Sequence, residues 1–295
     1  MNIYNERGKN IRRTWLLMVG FLVFIIGLGY FISWYMGESW ILYMAVIFSF
    51  GMNITAYWFS DKIALSATRA HEADGVKYLE LHRTVENLAI TAGLPKPRVY
   101  VIEDSAPNAF AAGRDAKHAV VAVTTGLLAR LEKSELEGVI AHELSHIGNR
   151  DILVMTVAVV LAGFVAIIAD IFLRMSFHGG GDREMRNPVV LIAGIVAILL
   201  APFAAKLIQL SISRKREFLA DASGALLTRY PDGLASALKK IASYEAPMRH
   251  ANHATAHLFI SNPFGAHEAG PFFAKLFSTH PPVEERITAL TGMRM

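Results

Sequence analysis

The sequence predicts an α-helical membrane protein carrying an α+β domain with a small β-sheet. Three observations point there. Residues 14–36 and 40–60 run without a charge, and each stretch exceeds the roughly 20 residues that cross a bilayer as a helix. Two more apolar runs, 152–173 and 188–212, interrupt the second half of the chain, giving four expected transmembrane helices in all. Between these pairs lie short alternating segments rich in β-formers. Composition agrees: 53% of residues are hydrophobic, 18% are charged, and mean hydropathy is +0.36, high for a water-soluble chain.

Trp34, Tyr35 and Trp40 sit where the first span would end and the second begin, as an aromatic belt would place them. The first stretch is too long for the apolar part of a signal peptide, and Trp34-Tyr35-Met36 is no small-residue cleavage site. Arg7, Lys9, Arg12 and Arg13 precede the first span, whereas the loop after it holds Glu38 and no Lys or Arg. The positive-inside tendency therefore places the N-terminus, and with it the segment from Asp61 onward, on the inside; an inner membrane is the expected location. Arg174, Arg183 and Arg186 weaken that rule between the third and fourth runs, where His178 to Asp182 reads as a turn. Asp170 reads as a residue near the end of its span, reaching the interface.

Residues 76–92 show helical periodicity ended by "GLPKP", and "RVYVI" (98–102), "NAFAAG" (108–113) and "HAVVAVT" (118–124) read as strands. The expected division is a tail and two spans (1–61), a first part of the folded domain (62–151), the third and fourth spans (152–212), and a second part of that domain (213–295). Beside anionic lipid, a net charge of +4 is as useful as beside nucleic acid, and without a nucleic-acid motif or a long basic run a nucleic-acid partner is not expected. The chain has no cysteine, which excludes disulfides, thiolate metal sites and a cysteine nucleophile.

The stretch "VIAHELSHIGNRD" (139–151) carries the chemistry. Residues four apart share one helix face, so His142 and His146 can hold one metal ion. Glu143 stands to one side, placed to hold water and take its proton rather than to ligate. Ser134 and Glu137 are expected to cap this helix, Leu136, Ile140, Leu144 and Ile147 form an apolar stripe, and Gly148-Asn149 ends it. Both histidines lie well round from that stripe. A catalytic zinc takes three protein ligands. The extended pattern with a third histidine fails, since Asn149 and Ile152 replace its glycine and histidine. "SRKREFLADASG" (213–224) offers Glu217 as ligand, with Asp221 one turn on to fix a histidine tautomer. The two motifs flank the third and fourth runs, so they share one side of the membrane only if both runs span or neither does. His250, His253 and His257 form a second cluster without a matching carboxylate, read as a solvated or substrate-facing helix.

"AHELSH" (141–146), "REFLAD" (216–221), "NAFAAG" (108–113), "HLFISNP" (257–263) and "THPPVEERI" (279–287) follow in this order behind two spans. This resembles the HtpX-type membrane zinc metalloproteases, distant relatives of the CAAX prenyl proteases, over essentially the whole chain. The resemblance implies a gluzincin-like zinc protease domain, with a small sheet over the motif helix and a glutamate as third ligand. It implies one Zn2+ per chain held by His142, His146 and Glu217, with Glu143 as base. It also implies cleavage of damaged membrane proteins or peptides by a catalytic domain facing the cytoplasm. Asn108, Ala109 and Phe110 look like the edge strand that pairs with an extended substrate. His280 and Arg286 look like the pair that steadies the tetrahedral intermediate, although an arginine there also suits a structural salt bridge. Prenyl-peptide processing, or a non-enzymatic scaffold with a structural metal, are the alternatives. A base at Glu143 argues against the scaffold.

Overall fold

The computed structural model describes residues 3–177, Ile195, Val196, Leu199, Leu200, Phe203 and Leu207, and residues 213–250, 255–265 and 281–293. The helices are α1 (Ile3–Met36), α2 (Trp40–Trp58), α3 (Ser60–Ala67), α4 (Leu79–Thr91), α5 (Thr125–Arg130), α6 (Lys133–Gly148) and α7 (Asp151–Phe177). After the fourth apolar run come α8 (Arg214–Thr228), α9 (Pro231–Ala242) and α10 (Val283–Thr291). The strands are β1 (His71–Glu72), β2 (Arg98–Ile102), β3 (Ala109–Ala112) and β4 (Val120–Thr124).

Three helices among the described residues are long and apolar enough to cross a membrane: Gly8–Met36, Trp40–Trp58 and Asp151–Asp170. Helix α1 begins earlier than expected and carries the basic tail, including Arg12 and Arg13, as its first turns. Most of the fourth run, with the 178–182 turn, lies outside the described residues. Its described positions Val196, Leu200 and Leu207 are buried in one apolar cluster with Phe21 and Ile25 of α1 and Val157 and Leu161 of α7, and Phe203 stacks on Phe24 at 3.8 Å. These positions recur at helical spacing.

The four strands form a mixed sheet in the order β1-β2-β4-β3. Strands β2 and β4 run parallel, while β1 and β3 are antiparallel additions at the edges. Strand β4, "VVAVT", is buried throughout, the unbroken apolar pattern of a strand covered on both faces. One face sends Val99, Val101, Val121 and Val123 into a core with Leu81 and Val85 of α4 and Val139, Ile140 and Leu144 of α6. The other packs Ile102, Phe110, Val120 and Ala122 on Met155 and Val159 of α7 and on Phe259. The start of α7 thus belongs to the soluble core while its remainder runs among apolar helices. This joint keeps the sheet, α6 and the membrane helices in register.

Helix α6 starts two residues earlier than the "S-x-x-E" reading places it. Glu132 and Glu135, rather than Ser134 and Glu137, form the capping box, with the Glu132 N–H donating to the Glu135 carboxylate at 2.8 Å. Ser236 and Lys240 of α9 donate to the same carboxylate at 2.6 and 2.7 Å, so the cap also docks α9. Two-residue β1 was missed because so short a strand carries no period to read.

Candidate active site

Helix α6 is buried on nearly every face, so His142, Glu143 and His146 lie in the interior, away from the stripe that packs on the sheet. Gly224 lets α8 come this close: a Cβ there would sit 2.9 Å from the His142 backbone nitrogen. That approach brings Glu217 and Asp221, one helical turn apart, against the two histidines.

The two imidazole Nε2 atoms lie 3.1 Å apart. Glu217 Oε2 is 3.9 Å from His142 Nε2, and Glu217 Oε1 is 3.6 Å from His146 Nε2. Tetrahedral ligands at bonds of about 2.0–2.1 Å stand roughly 3.3 Å from one another, so this triangle has the dimensions of three corners of a zinc site. Among the described residues, His142, His146 and Glu217 are the group whose ligand atoms lie close enough together to hold a metal ion.

Each histidine is held from behind by its own carboxylate. His142 Nδ1 lies 2.9 Å from Asp221 Oδ1, and His146 Nδ1 lies 3.0 Å from Asp151 Oδ2. A carboxylate at Nδ1 accepts a hydrogen bond from the ring N–H there, which keeps the proton on Nδ1 and leaves the Nε2 lone pair for a metal. Asp221 stands where its spacing from Glu217 suggested. In the sequence, Asp151 marks only the end of the first part of the domain. Arg150, in the left-handed conformation (φ 59), breaks the chain between α6 and α7 and swings Asp151 back toward His146.

Arg286 is fully buried and grips Asp221 with two parallel bonds, Nε to Oδ2 at 2.8 Å and Nη2 to Oδ1 at 2.6 Å. Its Nη1 donates to the Ile260 carbonyl at 3.2 Å. It therefore stands behind His142, on the Nδ1 side of the ring. Its Nη1 also lies 4.0 Å from Glu217 Oε2. His280 lies outside the described residues.

The groups buried around the histidines are Glu143, Asp151, Glu217 and Asp221 against Arg216 and Arg286. With neutral imidazoles, four negative and two positive charges leave a deficit of two, the charge of one divalent cation. Without the ion, protons take its place. Burial pushes the Glu143 carboxyl up to about 7; the charge of Glu217 adds to this, while His146 and the Ala111 N–H oppose it. Burial disfavours the imidazolium of His146, but the Asp151 hydrogen bond and the charge of Glu217 raise it to about 9. Burial holds His142 down to about 4 despite Asp221. For Asp221, burial works against the carboxylate but the Arg286 fork wins and holds it at about 2.

The edge strand β3 runs past this site. The Asn108 side chain donates to the Ser261 carbonyl at 3.0 Å and accepts the Ser261 N–H at 3.2 Å. The Ala109 carbonyl accepts the Ile260 N–H at 2.9 Å, and the Phe110 ring packs edge-on against Phe259. These three positions, expected to meet substrate, hold the chain's own 259–261 stretch. Backbone groups alternate along an antiparallel edge, so Ala111 points outward like Ala109. Its N–H bonds the Glu143 carboxylate.

The second histidine cluster does not form a helix among the described residues. His250 Nε2 lies 3.3 Å from Arg69 Nη1, His253 lies outside the described residues, and His257 is buried in a 3-10 turn.

The family model "Peptidase family M48" matches residues 76–294. A "Protease HtpX homolog" of Thermoanaerobacter pseudethanolicus is 48% identical over 301 residues, covering 99% of this chain and 98% of that one. A "Protease HtpX homolog" of Pyrococcus furiosus is 50% identical over 285 residues, covering 96% of each. The crystal structure of S. mikatae Ste24p matches with a TM-score of 0.51 at 21% identity, over 93% of this chain and 65% of that one. That likeness is one of fold. Motif helix, paired second helix and near-full-length relatives converge, and the chain belongs to peptidase family M48.

Proposed function

We infer that this membrane metalloprotease uses one zinc ion and cuts unstructured segments of membrane proteins close to the bilayer. The observation that carries the zinc reading is the triangle of His142, His146 and Glu217, backed by a buried charge deficit of two. Nitrogen and carboxylate donors in a closed three-ligand set suit zinc, and the third ligand from a second helix gives a gluzincin-like arrangement. A divalent cation there supplies a Lewis acid that polarises a carbonyl and acidifies water.

The remaining roles belong to the chain. Glu143, beside the ligands and on no ligand position, takes the proton of the attacking water and passes it to the leaving amine. Ala111 on β3 offers its outward backbone to an extended substrate, next to the Glu143 carboxylate it already bonds. Asp221 and Asp151 fix the histidine tautomers. Arg286 positions Asp221.

The fourth apolar run is read as a fourth span. Its buried positions share the cluster of α1 and α7, and it returns the chain to α8 on the side where α7 began. That side is read as cytoplasmic, in an inner membrane, from the basic residues at the start of α1. Single cysteines placed at Asn2 and Glu38 of this cysteine-free chain should label from opposite sides of sealed vesicles. Labelling of both from one side would refute the topology.

Proximity sets the substrate class. Asp151, the first residue of α7, touches His146, so the site sits where that membrane helix enters the soluble domain. A membrane substrate with one cleavable unstructured segment, moved outward from its span at constant linker length, should be cut less with distance. Equal cutting at every distance, or of the same segment free in solution, would remove the membrane from the specificity.

A further inference from the structure

The side chain of Asn10 is fully buried in the first turns of a membrane helix. It donates to Asp151 Oδ1 at 2.6 Å and to the Asn149 carbonyl at 3.1 Å. Its own oxygen accepts from Arg216 Nη1 at 3.1 Å. Arg216 Nε in turn lies 3.6 Å from Asp151 Oδ1. Every polar atom of the Asn10 amide is used, and its partners come from three places in the chain: the turn after α6, the start of α7 and the start of α8. The other oxygen of Asp151 holds His146 Nδ1.

The network is therefore directional. His146 is oriented by Asp151, and Asp151 is oriented by Asn10 and Arg216. Arg216 immediately precedes the ligand Glu217. Removing Asn10 leaves one buried carboxylate oxygen short of a donor and frees Arg216 on one side, and such buried losses are not made good by solvent. We propose that Asn10 is a positioning residue of the metal site. Through it, the docking of the first membrane helix sets the orientation of His146 and the seating of Glu217. The proposal rests on the zinc reading above.

The test uses the full chain in detergent, with zinc affinity measured by competition against a chromophoric chelator. The visible spectrum of the cobalt-substituted protein is a second readout. Asn10→Leu keeps the number and branching of side-chain heavy atoms and removes all three bonds. Thr14→Val, one turn on in the same helix, removes only a bond to the Asn10 carbonyl and serves as the packing control. Asn10→Leu should weaken zinc binding about 10-fold, the low end of the usual 10–100-fold loss for groups behind a ligand, and shift the cobalt bands. Thr14→Val should do neither. Should Asn10→Leu fail to accumulate, Asn10→Asp keeps the size and the Arg216 contact, loses the donor to Asp151, and carries the same expectation. Unchanged affinity and spectrum in the Asn10 variant, or equal changes in Thr14→Val, would overturn the positioning role. Wild-type protein that takes up no stoichiometric zinc would instead overturn the zinc reading and this proposal with it.

Discussion

Helices α2 and α7 are both long and apolar enough to cross a membrane, yet they live in different surroundings. In α2, 17% of the spanning window is buried inside the protein; in α7 the share is 72%. The face of α2 carrying Tyr43, Ile47, Phe50 and Ile54 is open, whereas Val154, Val157, Ala158 and Leu161 of α7 are enclosed. The difference teaches that apolarity qualifies a helix for the membrane without saying who its neighbours are. A lipid-facing helix needs only to be greasy. An enclosed one must fit. The same contrast separates the apolar hairpin α1–α2 from the layer around α6, where buried charges are numerous and paired.

The sharpest way to exploit this comparison is chemical. Glu143→Gln should lower peptide cleavage by about 10²–10⁴-fold, the usual worth of a positioned base, while metal analysis finds zinc retained. Substantial residual cleavage would move the base elsewhere, and loss of zinc would make Glu143 a ligand. Next in size is Arg286→Leu, which leaves Asp221 as a buried, uncompensated carboxylate. Breaking such a pair costs about 3–5 kcal/mol, to be read as lost thermal stability, with Asp221→Asn in the same chain restoring part of it. If Arg286→Leu melts like wild type while activity collapses, the arginine acts on the reaction and not on Asp221.

A third comparison is internal to the site. Glu217→Ala should weaken zinc binding more than Asp221→Ala, whose loss falls in the range of roughly 10–100-fold. Equal zinc content in wild type and Glu217→Ala would refute the ligand assignment. The α2/α7 contrast itself is tested by truncation. Leu161→Ala opens a cavity among packed side chains and should cost about 2–5 kcal/mol. Ile47→Ala in α2 should stay within about 0.5 kcal/mol. Similar losses in both would mean that α2 is covered by a partner in the membrane.

The sequence carries the local parts of this molecule well. The spans, three of the four strands and the His142–His146 pair all follow from periods of 3.6, 2 and 4 within short windows. Glu217 and Asp221 were legible because their four-residue spacing places them on one helix face and a nearby H-E-x-x-H asks for a third ligand. Asp151, Asn10 and Arg216 were not. The contacts of Asn10 span 141 and 206 positions, and no local period records a partner that far away. A signal did exist at Asp151: a lone carboxylate opening an apolar helix five residues after a ligand is costly unless something buried needs it. Arg286 shows the converse. Its motif was visible, but its direction was not, because which side of His142 it occupies depends on how α10 packs.

The burial of Arg286 also orders events in time. It enters the site 140 positions after His146, so the motif helix leaves the ribosome well before its last internal partner. At about 5–20 residues per second that interval is roughly 7–30 s. Until then Asp221, which fixes the His142 tautomer, has no guanidinium to hold it in place, so a chain stalled in between would hold the motif without its full support. A growing polypeptide is itself an unstructured segment close to a bilayer, the kind of target proposed for the finished enzyme. Delayed arrival of one arginine would thus keep nascent copies from cutting their neighbours during synthesis.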